Sequence, residues 1–173
     1  MSKDGPGIKK GKSRQDIATP WEFIRAVEKR FGKITIDLAA TAENAKCENF
    51  ITPELDTFKQ DWVKLINNGL GWLNPEYDPV APWMEKCAIT VAPVRSLEEI
   101  RLKVRFLSLT RGSIDANWFW DHIWPNSAVF AVKPRIQFVD QPDPYPAPLI
   151  LSEWGGKETR RLYRWNWLTD TIE

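Results

Sequence analysis

Asn74-Pro75-Glu76-Tyr77 places an amide, a proline-fixed carbonyl and an aromatic ring within four residues. That set suits an exocyclic amine on a planar ring, such as the one on adenine. The lone pair of such an amine is delocalised into the ring, so the nitrogen is a poor nucleophile. Two acceptors, the Asn74 amide oxygen and the Pro75 carbonyl oxygen, can hold its hydrogens and draw the nitrogen toward tetrahedral geometry. Tyr77 can stack on the base face, as aromatic side chains do in enzymes that take a base out of a duplex. Such stacking is worth roughly 1–3 kcal/mol per base. The plain alternative is an ordinary loop, because Asn-Pro is a common turn signal. Position favours a site: the motif follows the apolar run Leu70-Gly71-Trp72-Leu73, which reads as a strand ending at a rigid turn. In open α/β sheets, ligands bind beyond the carboxyl ends of the strands.

Other expected strand ends carry reactive or polar residues. Asp37 closes a β-branched run, Asp61-Trp62 precedes the motif strand, and Thr110-Arg111 with Asp115 follow the strongest strand. In a parallel sheet they line one edge around one crevice. The competing reading for each acid is a helix cap.

The elements that must position these residues follow from periodicity. Thr19-Pro20 predicts a helix start, with Thr as N-cap and Pro at the first helical position. Phe23, Ile24, Val27 and Phe31 then form its apolar face and Gly32 its end. Residues 34–40 read as a strand, 44–50 as a helical turn with a second strand, and 56–62 as a connecting loop. A helix is expected over 82–92, a strand over 104–110, a helix over 114–123, and strands over 127–132 and 149–154. Residues 93–103 read as a loop or short amphipathic helix, and 136–139 as short and extended. Residues 141–148 hold four prolines and must be irregular. Residues 155–157 form a tight turn, after which 160–168 alternates as a hairpin partner. Alternating strands and helices followed by clustered strands predict an α/β protein with a mostly parallel sheet finished by antiparallel strands.

Composition narrows the classes. The 173 residues suffice for one domain, 17–173, behind a Gly- and Lys-rich arm, 1–16, expected to be flexible. A net charge of +1 argues against a pure nucleic-acid coat while allowing an enzyme with a local basic patch. The arm itself could touch nucleic-acid phosphates. Ten tryptophans, many beside polar residues, fit core edges and stacking surfaces. Cys47 and Cys87 lack CxxC spacing and there is one His, so no metal site is expected and a reduced, cytoplasmic chain is. No apolar run is long enough to cross a membrane.

The ordered set Thr19-Pro20, Ile36-Asp37-Leu38-Ala39-Ala40 with Asn44-Ala45-Lys46-Cys47, Asp61-Trp62, Asn74-Pro75-x-Tyr77 with Pro82-Trp83, and Arg135-Ile136-Gln137-Phe138 resembles the phage-type DNA N6-adenine methyltransferases (Dam family). The resemblance runs from about Ala18 to Trp154. It implies the S-adenosylmethionine-dependent methyltransferase fold: a mostly parallel doubly wound sheet with an antiparallel C-terminal hairpin. It implies S-adenosyl-L-methionine as methyl donor and double-stranded DNA, with the adenine flipped out, as partner. Asn74, Pro75 and Tyr77 would hold the target adenine. Thr19 and Pro20 would lie near the donor's methionine part, Asp37 and Ala39 would line its pocket, and Asp61 with Trp62 would meet its adenosine. Methyl transfer from a sulfonium is an in-line displacement helped mainly by positioning. A phage setting, in the host cytoplasm, would make protection of DNA from nucleases a use for it.

Two departures from the usual pattern stand out. Leu38-Ala39-Ala40-Thr41 replaces the Gly-rich loop of many methyltransferases, and Glu76 stands where adenine methyltransferases usually have a second proline. Proline there stiffens the turn; Glu76 loosens it and adds negative charge. The alternatives are the same chemistry on RNA or on a protein amide nitrogen, or a catalytically degenerate DNA-binding module. Little room exists for an added recognition domain, so a short or relaxed recognition sequence is expected.

Overall fold

A computed structural model describes residues 18–92 and 104–173; the expected arm and the stretch 93–103 lie outside them. Seven strands form one sheet: β1 (Ile34–Asp37), β2 (Leu70–Leu73), β3 (Arg105–Arg111), β4 (Ser127–Lys133), β5 (Leu149–Trp154), β6 (Arg161–Asn166) and β7 (Thr171–Ile172). Their order across the sheet is β1-β2-β3-β5-β4-β6-β7. β1, β2 and β3 pair in parallel, β5 runs antiparallel to both β3 and β4, and β6 pairs with β4 in parallel. β7 returns antiparallel on β6, so the C-terminal hairpin is β6–β7 and not the expected pairing of 149–154 with 160–168. The mixed α/β class therefore holds, but the expected role of 160–168 does not. β5 has both edges occupied by β3 and β4, so β6 adds to β4 instead of forming a hairpin with β5.

Helices cover both faces. α1 (Trp21–Phe31) buries Phe23, Ile24, Val27 and Phe31, each contributing roughly 1.5–3 kcal/mol, against Ile34, Leu70, Trp72, Leu107 and Leu151. α2 (Trp62–Ile66), α3 (Ala81–Val91) and α4 (117–126) pack on the other face against Ile36, Leu73, Phe106, Val129 and Trp154. Alternate residues of β3 thus serve opposite cores, Phe106 one and Leu107 the other, as the two-residue strand period demands. The buried Trp154 indole satisfies its N–H on Ser108 Oγ at 2.8 Å.

Several boundaries differ from expectation. α1 starts after Pro20, which is the N-cap with extended backbone; Thr19 makes no cap, its hydroxyl being engaged elsewhere. Residues 44–50 contain no strand, only a single parallel bridge between Phe50 and Asp37. The region 56–62 holds a tight 3-10 turn, Thr57–Lys59, and the start of α2. Residues 136–139 form no strand, although Val139 N donates to Ala18 O and Tyr145 N to Ile136 O. α4 begins at 117 and widens into a π turn over Phe119–Ile123. Pro125 brings no N–H to this helix, and the side chains of Asn126 and Ser127 bond the carbonyls of His122 and Ile123.

Candidate active site

β1, β2 and β3 run in the same direction, so Asp37, Asn74 and Arg111 emerge at one edge of the sheet. Asn74 is the first residue beyond β2. Its Nδ2 donates to Thr19 Oγ1 at 3.3 Å, and its Oδ1 accepts from the Tyr77 hydroxyl at 3.2 Å. The amide is therefore held from both sides. Burial pushes the Tyr77 phenol well above its ordinary pKa, with the neighbouring Tyr145 adding to that and the Arg111 charge opposing it. The hydroxyl keeps its proton at any working pH and so remains able to donate to Oδ1.

Tyr77 is clamped in turn. The Arg111 guanidinium carbon lies 5.7 Å from the Tyr77 ring centre and 5.9 Å from that of Tyr145, and Arg111 Nε donates to the Tyr145 hydroxyl at 2.7 Å. The two tyrosine rings meet edge to face at 5.8 Å. Tyr145 stands in the proline-rich 141–148 loop, and Phe138 supports it from behind at 5.6 Å.

Two clefts flank the turn. The first, ≈ 250 Å³, runs from Ala39 and Asn44 past Asp56 and Phe58 to Asn74, Glu76 and Trp83. Phe58 and Trp83 pack at 4.7 Å on its wall. The second, ≈ 450 Å³, is bounded by Tyr77, Asp78, Arg111, Ser113, Asp115 and Trp118. A narrow recess of ≈ 30 Å³ lies among Thr19, Asp37, Lys46 and Asn74.

Asp37 is almost fully buried at that recess. Burial raises its pKa to about 7, against the backbone N–H groups of Ala39 and Lys46, which donate to its two oxygens, and against the Lys46 charge. Burial lowers the Lys46 pKa, opposed by Asp37, and its ammonium sits 5.0 Å above the Trp21 ring.

The structure thus brings Thr19, Asp37, Ala39, Asn74, Pro75 and Tyr77 together, and it separates Asp61 and Trp62 from the clefts. Asp61 is exposed at the N-cap of α2, where it accepts from Lys64 N at 3.3 Å and pairs with Lys64 Nζ at 3.4 Å. Its pKa is lowered, chiefly by that backbone bond. Trp62 is buried beneath the site: its indole N–H bonds Thr57 O and Oγ1, and Thr57 Oγ1 donates to Leu38 O at 2.6 Å. These bonds fix Thr57, which lines the first cleft. Pro20 lines none of these spaces and only starts α1. Asp56, Phe58 and Tyr145 join the site without having been evident from sequence. Their signals were an acid and an aromatic close together in a loop, and a lone tyrosine among prolines.

A mostly one-directional sheet with ligand-sized clefts at its carboxyl edge defines an α/β enzyme-like class of protein. The chain belongs to the family described as DNA N-6-adenine-methyltransferase (Dam), which matches residues 8–144. It is similar to the DNA N-6-adenine-methyltransferase of Escherichia phage T1, 43% identical over 60 residues, covering 35% of this chain and 24% of the phage protein. It is also similar to that of Haemophilus phage HP1, 37% identical over 75 residues, covering 42% of this chain and 41% of the relative. The matched stretches therefore span well under half of either relative. No solved structure matches the chain significantly. Among the described residues, no helix is long and apolar enough to cross a membrane.

Proposed function

We propose that this chain transfers a methyl group from S-adenosyl-L-methionine to N6 of adenine in DNA, on the S-adenosylmethionine-dependent methyltransferase fold. The observation that carries this reading is the Asn74 amide, fixed by Thr19 and Tyr77 between two clefts at the carboxyl end of β2. Family membership supports it.

The first cleft suits the donor. Its ionisable lining residues, Asp56 and Glu76, are both acids, and its aromatic wall can take a purine or a cation. When bound there, S-adenosylmethionine supplies an electrophilic methyl group on a sulfonium. The residues of the chain do the rest by positioning. Asn74 Oδ1 and Pro75 O accept the two amino hydrogens of adenine, and Tyr77, held by Arg111 and Tyr145, offers a ring to the base. The second cleft, on the Tyr77 side, is the approach for a base flipped out of the duplex. Thr19 keeps the Asn74 amide from rotating. Asp37 and Lys46, which both line the recess, present a polar end for the amino-acid part of the donor.

Incubation with labelled donor and an adenine-containing duplex, followed by nucleoside analysis, tests the proposal. N6-methyladenine is expected from wild type. Asn74→Ala is expected to abolish it while donor affinity stays within about twofold. Label found only in RNA or protein would redirect the substrate assignment. Donor binding without transfer to any of the three would mark a degenerate module.

A further inference from the structure

Arg111 ends β3 at the site edge, where it is exposed and borders the second cleft. Its Nε donates to the Tyr145 hydroxyl at 2.7 Å, and its guanidinium carbon lies 5.7 Å from the centre of the Tyr77 ring. A guanidinium presents its N–H donors in a rigid planar fork. The bond at Nε fixes that plane, while the terminal nitrogens keep the paired donors that suit a phosphate. Arg30, Arg105 and Arg164 each meet a carboxylate, on Asp170, Glu153 and Glu173. Among the described residues, no carboxylate forms an ion pair with Arg111, although Asp78 and Asp115 border the same cleft.

The shape of adenine narrows where a phosphate can be. N6 and the glycosidic nitrogen lie at opposite ends of the base. With N6 at the Asn74 amide and the base face on Tyr77, the sugar and its two flanking phosphates leave away from Asn74, by way of the second cleft. Arg111 is the one cation among the described residues lining that cleft. Asp78 and Asp115 repel a phosphate from the rest of the wall, which restricts the anion to the Arg111 side. Phe138 backs Tyr145 at 5.6 Å, so the hydroxyl that aims the guanidinium is itself supported.

We propose that Arg111 binds a phosphate flanking the target adenine, with Tyr145 as the positioning residue that aims it. This rests on the second cleft being the approach of the flipped base. Such a contact fixes position and reads no sequence. It holds the sugar-phosphate backbone on one side of the base while Asn74 and Pro75 hold the amino group on the other, so the adenine is registered at both ends. The same guanidinium steadies the Tyr77 ring, so anchoring the backbone and presenting the stacking surface fall to one side chain.

A duplex bearing one adenine that wild type methylates tests the proposal, with each phosphate flanking that adenine replaced in turn by a neutral methylphosphonate. For wild type, one of the two replacements is expected to lower kcat/KM about tenfold or more, as loss of a hydrogen bond to a charged group does. Arg111→Gln should lose at least as much on the unmodified duplex, and the methylphosphonate should then cost it no more than about twofold further. Tyr145→Phe keeps a ring against Tyr77 and removes the hydroxyl. It should be about threefold slower than wild type on the unmodified duplex and match wild type on the modified one. Thermal melting confirms that both variants fold. Losses that multiply in both variants, or a wild type indifferent to both replacements, overturn the assignment while leaving methyl transfer to adenine standing. Failure of wild type to methylate any duplex removes the DNA reading itself, and the role of Arg111 with it.

Discussion

Asp37 gives the sharpest stability prediction. Its side chain is 3% exposed and its pKa lies at about 7, against an ordinary 3.8. The folded state therefore holds a proton that the unfolded chain releases. Below about pH 4 both states are protonated, and the stabilisation is fully present. As pH rises toward 7, the unfolded chain ionises first and the fold loses stability at ~1.4 kcal/mol per pH unit, levelling off above the folded pKa. Over the whole span between the two pKa values the loss comes to about 4 kcal/mol, of which ~2.5 kcal/mol falls between pH 5 and 8. Asp37→Asn removes the titration. It also turns an amide N–H toward one of the two backbone donors, Ala39 N or Lys46 N, so the variant starts less stable. Urea unfolding of both proteins at pH 5, 6, 7 and 8 measures the gap. The expected result is a variant that lags wild type at pH 5 and closes the gap by ~2–3 kcal/mol at pH 8. Parallel pH profiles, or a gap that widens with pH, would refute the claim that burial governs Asp37.

Two further substitutions separate orientation from structure. Thr19→Val keeps the shape of a buried side chain and removes the acceptor for Asn74 Nδ2; loss of one such bond, ~1 kcal/mol, should lower kcat about fivefold in a methyl-transfer assay, a larger change than the one in donor Kd. Asp61→Ala removes the α2 N-cap outside the clefts, so calorimetry should find donor Kd within about twofold of wild type, with a small drop in melting temperature; a tenfold loss of donor affinity would restore Asp61 to the site.

The parts legible in the sequence are those set by local pattern. The helical spacing of Phe23, Ile24, Val27 and Phe31 marks the buried face of α1, and the apolar runs at Leu70–Leu73 and Leu149–Trp154 mark the bounds of two strands. Asn74 and Asp37 were legible as strand ends because parallel pairing puts such ends on one edge. The features that stayed hidden are non-local or too short. α2 has only five residues, less than two turns, so it carries no readable period. Asp56 and Asp61 are both caps in neighbouring turns, and nothing in their spacing says which one borders the cleft. Thr19 reads as an N-cap on residue type alone; Pro20 takes that position, and the Thr19 hydroxyl meets Asn74, 55 residues away. The insertion of β5 between β3 and β4 depends on pairings that no local window contains.

That insertion is what completes the site. Because β5 is reversed, it begins at the edge where β3 and β4 end: Leu149 faces Arg111 across the ladder, and Gly112 N donates to Pro148 O at 2.9 Å. Both ends of the segment 134–148 are thereby anchored on the site edge, which a parallel β5 would not allow. The segment then reaches both supports of Asn74. Val139 N bonds Ala18 O, next to Thr19, which holds Nδ2; Tyr145 packs on Tyr77, which holds Oδ1. Its prolines limit the backbone states open to the unfolded segment, so ordering it costs less entropy than an ordinary loop of that length would. The amide at the end of β2 is oriented by residues from the start of the chain, from its own turn and from a proline-rich segment some 70 residues later, and the direction of one strand brings the last of these within reach.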